Sequence, residues 1–291
     1  MSRSRDDNLL SQWTEEQDRQ SSIAIFRDES LPFDVSGSSS KRTASPVQIT
    51  REDLASLTVS GLDRVAGFDI SFPAADGDEG VAVLALLSFP ELKLVKSITR
   101  RISLEGTPYI HSFLSFRESD HYVALLRELE DAGDSLPQIL FVDGNGRWHP
   151  RQSGSAVAVG VKTGLPTIGI AKDYHPIHPS DAIDSTHALK PYPPDFMMSQ
   201  KGIRKACQDL LQHRGDWLAL PGLSRVDFWG AALLASPARS ATNPIFVSSG
   251  HRVSLETSVR VALLCSTEGK IPEPIRQADL IGRAEVKRIW T

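Results

Sequence analysis

Apolar and polar positions divide the chain into an opening helix, a block of three strands, and an alternation of helices with strands. Three apolar runs joined by short polar links predict consecutive antiparallel strands over residues 65–72, 81–89 and 94–103. Ser119 and Asp120 then offer an N-cap, and apolar residues recur at helical spacing over 120–132. The core is therefore predicted to begin as a three-stranded meander followed by an amphipathic helix.

The rest of the core alternates helices with strands. Buried strands are predicted over 139–142 and 167–171, on either side of a helix near 153–163. The remaining elements are a helix over 199–213, strands near 217–220, 228–235 and 245–247, and a helix from the Ser254 cap to Cys265. Strands separated by helices require parallel crossovers. This element order is that of a ribonuclease H-like α/β fold, with a central mixed β-sheet flanked by helices.

Three segments outside this core have weaker patterns. A helix is predicted over 8–27, with Trp13 as its packing anchor, and Ser, Gly and Pro make 28–46 a flexible insertion. A short capped helix is predicted at 50–54. The segment 173–194 holds five prolines and three histidines, His175, His178 and His187. No cysteine or paired ligand spacing supports a zinc site there, so we favour a solvated loop.

Composition limits the protein class. The 291 residues are 40% hydrophobic, enough for one large domain or two modest ones. No apolar run approaches the roughly 20 residues that span a bilayer, and residues 1–7 lack the apolar stretch of a secretory signal. We therefore expect an intracellular protein of the cytoplasm or nucleus, with no membrane partner, and a monomer. Cys207 and Cys265 are interpreted as buried structural thiols.

The net charge of -4 excludes wholesale coating of nucleic acid by a basic surface. The net charge does not mask a strongly basic domain after an acidic N-terminal segment, because acidic residues outnumber basic ones in residues 51–291 as well. Any binding of nucleic acid must therefore be local and assisted by a metal.

The most distinctive stretch surrounds Asp143. Four apolar residues form a short strand that ends in Asp143-Gly144-Asn145-Gly146, a turn that would aim one carboxylate out of the sheet edge. The glycines let backbone approach a ligand, and His149 and Arg151 follow as a polar rim suited to phosphate. A plain Asp-Gly turn after a core strand would have the same pattern.

Two other carboxylates bear on this interpretation. Asp69 interrupts an otherwise apolar strand, where an unpaired carboxylate would be costly to bury. If its strand lies beside that of Asp143, the two carboxylates repel each other unless a divalent cation lies between them, and Glu118 could supply a third oxygen ligand. Three carboxylates form the oxygen-rich site that magnesium or manganese prefers. Alternatively, Asp69 is a buried hydrogen-bonded residue and Glu118 an N-terminal helix charge.

Three further residues fit phosphodiester hydrolysis. Lys172 ends a buried strand, where it would offer a cation to a phosphate or stand solvated. His251 lies between a strand and a helix N-terminus and could move a proton. Asp279 could add a fourth acidic group or cap a helix.

Five ordered motifs resemble the endonuclease V family, in its eukaryotic branch. They are Gly67-Phe-Asp-Ile-Ser-Phe72, Pro108-Tyr-Ile-His-Ser-Phe-Leu-Ser-Phe-Arg-Glu118, Asp143-Gly-Asn-Gly-Arg-Trp-His-Pro-Arg151, Gly169-Ile-Ala-Lys172 and Ser249-Gly-His-Arg252. The similarity runs from about residue 13 to about residue 288. It implies a catalytic domain over 57–291 with a lengthened loop near 173–198, preceded by the helix and insertion of 1–56.

The resemblance implies a nuclease for inosine in single-stranded RNA or DNA. Such enzymes use magnesium, or manganese as a substitute, to cut the second phosphodiester bond 3′ of the lesion, leaving a 3′-hydroxyl and a 5′-phosphate. By this resemblance Asp69, Glu118 and Asp143 are the catalytic metal ligands, and Lys172 and His251 assist. The implied substrate-binding residues are Pro108, Tyr109, Ile110, His111, Gly144, Gly146, His149 and Arg151. Among them, Pro108 to His111 form a wedge in which Tyr109 stacks on bases.

The sequence departs from the family pattern at two places. His111 replaces a proline that is common in the wedge, and residues 152–158 differ from the usual pattern after Arg151. The carboxylates are unaffected. An alternative hypothesis is therefore a protein of the same fold that binds inosine-containing strands but cuts them weakly.

Overall fold

The structure is a computed structural model that describes residues 2–36, 56–74, 77–177, 199–223, 227–238 and 243–291, with side chains from residue 8 onward. Its helices are α1 Ser2–Ile23, α2 Ser115–Asp131, α3 Ser155–Thr163, α4 Gln200–Leu210, α5 Leu255–Leu264 and α6 Glu273–Trp290. Its strands are β1 Asp34–Ser36, β2 Thr58–Ser60, β3 Arg64–Ser71, β4 Glu79–Ser88, β5 Leu94–Ser103, β6 Ile139–Asp143, β7 Thr167–Ala171, β8 Trp217–Pro221, β9 Phe228–Leu233 and β10 Ile245–His251. The helix predicted at 50–54, residues 37–46 of the insertion, and His178 and His187 lie outside the described residues.

Eight strands form one sheet in the order β5-β4-β3-β6-β7-β10-β9-β8. The predicted meander is confirmed, since β3, β4 and β5 pair antiparallel. The predicted parallel crossovers are confirmed for β3 with β6 and for β6 with β7. The prediction of parallel strands is wrong beyond β7, because β10 pairs antiparallel with both β7 and β9, and β8 pairs antiparallel with β9. The last three strands therefore form a second antiparallel block.

Helices cover both faces of this mixed sheet. Tyr122 and Leu125 of α2 and Val159 of α3 pack on one face, against Phe68 and neighbouring residues. On the opposite face, α6 packs against the alternate residues of β3, β4 and β6, and α5 packs against β9 and β10. A third cluster joins α4 to β8, β9 and the start of β10. The predicted mixed sheet flanked by helices is thus confirmed, and its central strands β3 and β6 are buried on both sides.

Helix α6 is absent from the sequence prediction, yet it packs closely against the central strand. A Cβ atom at Gly67 would lie 2.2 Å from the backbone of Pro274, so only glycine permits this approach. Pro274 in the first turn and Lys287 and Arg288 in the last turn are helix-boundary signals that could have revealed α6. The helix brings Asp279 to the sheet as a mid-helix residue rather than as a cap.

The segment after α1 is more ordered than its composition suggests. Residues 28–36 were predicted to be flexible, but β1 pairs with β2 and Phe33 is buried. The Asp28 carboxylate accepts hydrogen bonds from Ser254 and Thr257 at the start of α5. The prediction is therefore wrong over 28–36, because these polar residues find partners distant in sequence. Similarly, Tyr174 and Ile177 in the predicted solvated loop are buried.

Helix boundaries affect the position of one candidate ligand. Helix α2 begins at Ser115, five residues before the predicted start, and Leu114 at its N-cap makes no side-chain capping bond. Glu118 is therefore inside the first turn. Ser254, in contrast, caps α5 as predicted by accepting a hydrogen bond from the Thr257 amide. Within the described ranges, no helix is both long enough and apolar enough to cross a membrane.

Candidate active site

Asp69 and Asp143 lie side by side at the carboxyl ends of two parallel strands. The register pairs Phe68 of β3 with Val142 of β6, so the next residue of each strand is one of the two aspartates. Their carboxyl groups are within hydrogen-bonding range of each other. Gly144 follows with a φ of +139°, a conformation that side chains disfavour, and turns the chain away from the sheet. The convergence predicted for these two aspartates is confirmed.

Glu118 approaches the same place from helix α2. Its side chain is buried, and Ser155 at the start of α3 donates a 3.3 Å hydrogen bond to Glu118 Oε2. The charges of both aspartates act on Glu118. Three elements distant in sequence therefore bring three carboxyl groups to one edge of the sheet.

The pKa values of these acids show how strongly the site disfavours negative charge. Burial, with the charge of Asp143 as the next cause, raises the pKa of Asp69 to about 7. Burial and the charges of Asp143 and Asp69 raise the pKa of Glu118 to about 8. A cation would stabilise the ionised forms of all three.

Lys172 places a cation beside these acids. Its Nζ donates a 2.6 Å hydrogen bond to Asp143 Oδ2, because β7 lies next to β6 in the sheet. Burial lowers the pKa of Lys172, but the charges of Asp143 and Asp69 and the hydrogen bond outweigh burial and raise it. Lys172 therefore carries a proton and a positive charge beside the carboxylates.

A cavity of about 350 Å³ opens above these residues. The three acids and Lys172 line one side of it. Tyr109, His111 and His175 line it as well, together with Gly144, Trp148 and His149. The acids thus form part of the wall of a space large enough for a small organic group.

The carboxylate oxygens of Asp69, Asp143 and Glu118 suit a hard divalent cation. The single charge of Lys172 does not balance three carboxylates. No group of three or more His, Cys, Asp or Glu side chains within the described ranges is already arranged to hold an ion. The two aspartates are close enough to share one cation, and Glu118 lines the same cavity.

The predicted wedge forms a loop beside the cavity. Tyr109 is 67% exposed, while the ring of His111 stacks on that of His175 with centroids 5.3 Å apart. Pro108 and Ile110 are on the loop but are not among the cavity-lining residues. The stack ties the position where the family commonly has proline to the chain just after Lys172.

His149 and Arg151 differ from the predicted phosphate rim. His149 Nε2 hydrogen-bonds Ser112 O at 2.8 Å, and burial lowers the pKa of His149 to about 3, so the ring is neutral. The Arg151 guanidinium lies over the Phe113 ring, and its Nε donates to Gln17. Both side chains therefore contact the protein itself, and a cationic rim at these two positions is not what the structure shows.

Gly146 is a packing residue. A Cβ atom there would lie 2.3 Å from Ser249 O, and the Gly146 amide donates to Ser248 Oγ. It is absent from the cavity-lining residues, whereas Gly144 is among them. The predicted contact of both glycines with a ligand is thus supported by position for Gly144 alone.

The prediction that His251 converges on the carboxylates is wrong. His251 pairs with Thr167 at the first residue of β7, whereas Lys172 follows the last. The intervening four residues of strand span roughly 13 Å. The side chain packs near Gly160, and Nδ1 accepts a hydrogen bond from the Ile25 amide. The antiparallel direction of β10 places its final residue at the opposite end of the sheet.

Asp279 and Gln17 reach this region from two helices. Asp279 of α6, which the sequence offers as a fourth acidic group or a cap, acts electrostatically on both Asp69 and Lys172, and it also pairs with Arg283 at 2.9 Å. Its position therefore supports the fourth acidic group. Gln17 of α1 is fully buried beside the loop of residues 108–112, which we call the Tyr109 loop. The sequence gives no sign of this contact, because a glutamine in a polar helix is usually exposed.

Comparison with known proteins agrees with this geometry. The family model for endonuclease V matches residues 45–280. The chain belongs to the endonuclease V family. Human endonuclease V is 39% identical over 230 residues, which cover 79% of this chain and 73% of the human protein. Mouse endonuclease V is 38% identical over 233 residues, which cover 79% of this chain and 61% of the mouse protein.

Solved structures of endonuclease V share the fold. The crystal structure of the catalytic domain of human endonuclease V has a TM-score of 0.74 and 35% identity, covering 97% of each chain. Endonuclease V of Ciona intestinalis, in complex with DNA containing an inosine followed by a ribo-adenosine, has a TM-score of 0.75 and 28% identity, covering 97% of this chain and 99% of that one. The ribonuclease H-like fold and the assignment as a nuclease, a phosphodiester hydrolase, are therefore confirmed.

Proposed function

We propose that this member of the endonuclease V family is a metal-dependent enzyme that cuts RNA or DNA strands containing inosine. The observation that carries the proposal is the adjacency of Asp69 and Asp143 in the wall of the cavity. The substrate is inferred from the Ciona intestinalis relative, whose structure contains inosine-bearing DNA. We further propose that the cut is at the second phosphodiester bond 3′ of inosine, leaving a 3′-hydroxyl and a 5′-phosphate.

Asp69, Asp143 and Glu118 would hold magnesium, or manganese as a substitute. When bound, the ion would polarise the phosphate and help generate the attacking hydroxide. The proton retained by Asp69 in the ion-free protein, where its pKa is about 7, would leave as the ion binds. The buried carboxyl of Glu118 would ionise in the same way. These acids would then bind as ligands, because a cation offsets the burial and mutual repulsion that raise the pKa values of Asp69 and Glu118.

Lys172 would contribute as a cation rather than as a base. Its pKa is raised, so it holds its proton near neutral pH and can donate a hydrogen bond to a phosphate oxygen. That contact would be made while Nζ remains close to Asp143. Lys172 would thus orient the scissile phosphate and offset charge that develops on its oxygens.

Tyr109 supplies an exposed aromatic ring at the mouth of the cavity. Stacking on an unpaired base would stabilise the strand while inosine turns into the cavity. The His111–His175 stack supports the loop at a position where the family commonly has proline. We propose that Tyr109 and His111 act in substrate binding in this way.

The test is cleavage of matched labelled strands, RNA and DNA, that carry either inosine or adenine at one position. Each is incubated with magnesium, with manganese and with a chelator. We expect a nick 3′ of inosine that depends on the ion and is absent from the adenine strands. Retention of the inosine strand without a nick would instead support the weakly cutting binding protein. The geometry does not favour that alternative, because the departures at 152–158 leave Asp69, Asp143 and Lys172 together.

A further inference from the structure

The Tyr109 loop is held at one carbonyl oxygen by two donors. Gln17 Nε2 and His149 Nε2 each lie 2.8 Å from Ser112 O. The donors come from α1 and from the turn after β6. Ser112 itself has a φ of +65°, the left-handed conformation that costs energy for a residue with a side chain. A backbone held in this conformation by two buried donors is fixed in position.

The Gln17 amide makes three contacts. Besides Ser112 O, its Nε2 lies 3.3 Å from Ser153 O, and its Oε1 accepts a 2.6 Å hydrogen bond from Arg151 Nε. The side chain is fully buried, so water does not replace these partners. One group that both donates and accepts therefore joins the Tyr109 loop to the turn of residues 149–153.

The second donor is fixed in its protonation state. The amides of Arg151 and Ser153 both donate toward His149 Nδ1, so the ring hydrogen is on Nε2. Burial and the charges of Arg151, His111 and His175 lower the pKa of His149, while its bond to Ser112 opposes them. The two-donor arrangement therefore stays unchanged across physiological pH.

Packing reinforces this contact at the base of the loop. Trp13 of α1 stacks on Phe116 with centroids 4.7 Å apart and planes 5° apart. The Arg151 guanidinium covers the Phe113 ring. Tyr109, three residues before Ser112, remains exposed. The loop thus has a fixed base and a free aromatic tip beside the cavity.

We propose that Gln17 is a positioning residue, which sets the place of Tyr109 over the cavity and thereby the discrimination between inosine and adenine. This inference rests on the proposed function. Gln17 precedes the part of the chain that the family model matches, residues 45–280. Its role follows from contacts that span 95 and 136 residues of sequence.

The test compares three glutamines of one helix. Gln17→Met keeps the length of the side chain without its polar atoms, and Gln17→Glu keeps the acceptor for Arg151 while losing the donors. Gln12→Met is the exposed control. Gln20→Met is the buried control, because among the described residues the Gln20 amide bonds to Ser153 and Glu16 and not to the Tyr109 loop. Each protein is assayed well below its melting temperature for affinity toward matched inosine and adenine strands, and for single-turnover cleavage at saturating enzyme.

Both Gln17 variants should lower the ratio of adenine to inosine dissociation constants about tenfold, the effect of losing one or two hydrogen bonds. Their saturating cleavage rate should change less than this ratio, because the carboxylates are untouched. Gln12→Met should behave as wild type. Gln20→Met should lower the melting temperature while keeping the ratio. If Gln17→Met does not fold, the Gln17→Glu result decides.

Two results would overturn the inference. The first is a wild-type ratio in a folded Gln17 variant. The second is an equal loss of the ratio in Gln20→Met, which would mean that any weakening of the contact between α1 and the rest of the protein lowers discrimination. A wild-type protein that does not discriminate inosine would instead contradict the proposed function and this inference together.

Discussion

The strand pair β7–β10 has a polar residue at each end, and the two residues have different surroundings. At one end Lys172 follows β7, beside Asp143 on β6. At the other end His251 closes β10 opposite Thr167. In sequence the two ends look alike, since each has a polar residue directly after a buried run. In the structure Lys172 lines the cavity, whereas His251 accepts a hydrogen bond from the segment that follows α1.

The difference is in how charge and hydrogen bonds are satisfied. His251 Nδ1 accepts from the Ile25 amide. The Arg252 amide donates to Ile25 O, and the Arg252 guanidinium donates to Gly164 O. At the carboxylate end, burial and repulsion raise the pKa values of Asp69 and Glu118. The unfavourable negative charge of these acids therefore lies at the cavity, where a bound cation could balance it. A polar residue at the end of a strand thus indicates a functional site when the protein does not balance its charge or satisfy its hydrogen bonds.

The largest effect is expected from Asp143→Asn. It removes a proposed metal ligand while keeping the shape, so single-turnover cleavage of an inosine strand should fall on the order of 10³-fold. Thermal unfolding without divalent ions should occur at the same or a higher temperature, because repulsion with Asp69 is relieved.

The two measurements on Asp143→Asn are informative as a pair. Cleavage at the wild-type rate would remove Asp143 from the catalytic site. A fall in the melting temperature that accounts for the lost cleavage would make its role structural, like that of His251.

Lys172→Gln should have the next largest effect. Without the cation beside Asp143, cleavage should fall about 10²-fold, a loss typical of removing one charged donor from a phosphoryl site. Lys205→Gln is the matched control, since Lys205 is an exposed lysine of α4 that, like Lys172, pairs with an aspartate, here Asp209. Binding of the inosine strand and cleavage should be measured separately. Equal rates in the two variants would mean that Lys172 serves only to neutralise Asp143.

The pH dependence of stability tests the uncompensated charge itself. The unfolded chain loses the protons of Asp69 and Glu118 near pKa 3.8 and 4.5, whereas the folded protein retains them to about 7 and 8. The folded state therefore binds more protons in this window, so the free energy of unfolding should fall as pH rises from about 4 to about 8. We expect the part removed by Asp69→Asn to be on the order of 1–3 kcal/mol.

Denaturant unfolding at several pH values, with and without magnesium, measures this effect. Magnesium should flatten the wild-type slope, since the ion replaces the protons. Identical slopes for wild type and Asp69→Asn in the absence of the ion would show that the Asp69 charge is already compensated.

Sequence reasoning located the carboxylates because their signal is local. A carboxylate inside an apolar strand is costly wherever the strand lies, so Asp69 is predicted to need a partner, whereas the pattern at Asp143 is also that of a plain Asp-Gly turn. Which strands are neighbours followed from the βαβ order, and the structure confirms that part of the sheet. Asp69 can therefore be recognised from its own strand, and Asp143 from the strand expected beside it.

The errors concern direction and long-range contact. His251 was misplaced because a residue at the end of a strand moves to the opposite edge when the strand is antiparallel, and the sequence pattern of β10 does not fix its direction. Gln17 was missed because a buried amide is recognised only by its partners, which are remote in sequence. Asp28 joins α5 across a similar separation. Periodicity predicts which face is buried, but it does not predict these pairings.

His251→Ala is expected to have the smallest effect and to separate the two ends of the strands most directly. It removes the acceptor for the Ile25 amide and contacts near Gly160, so the free energy of unfolding should fall by about 1–2 kcal/mol. Cleavage per folded molecule should match wild type, since His251 is far from Asp143 along the sheet.

Denaturant unfolding and single-turnover cleavage on the same preparation distinguish the outcomes for His251→Ala. Stability lost with cleavage intact is the reverse of the result expected for Asp143→Asn. Stability intact with cleavage reduced more than tenfold would return His251 to the reaction. That result would require the end of β10 to reach the substrate by a movement that breaks the bond from Ile25 to His251.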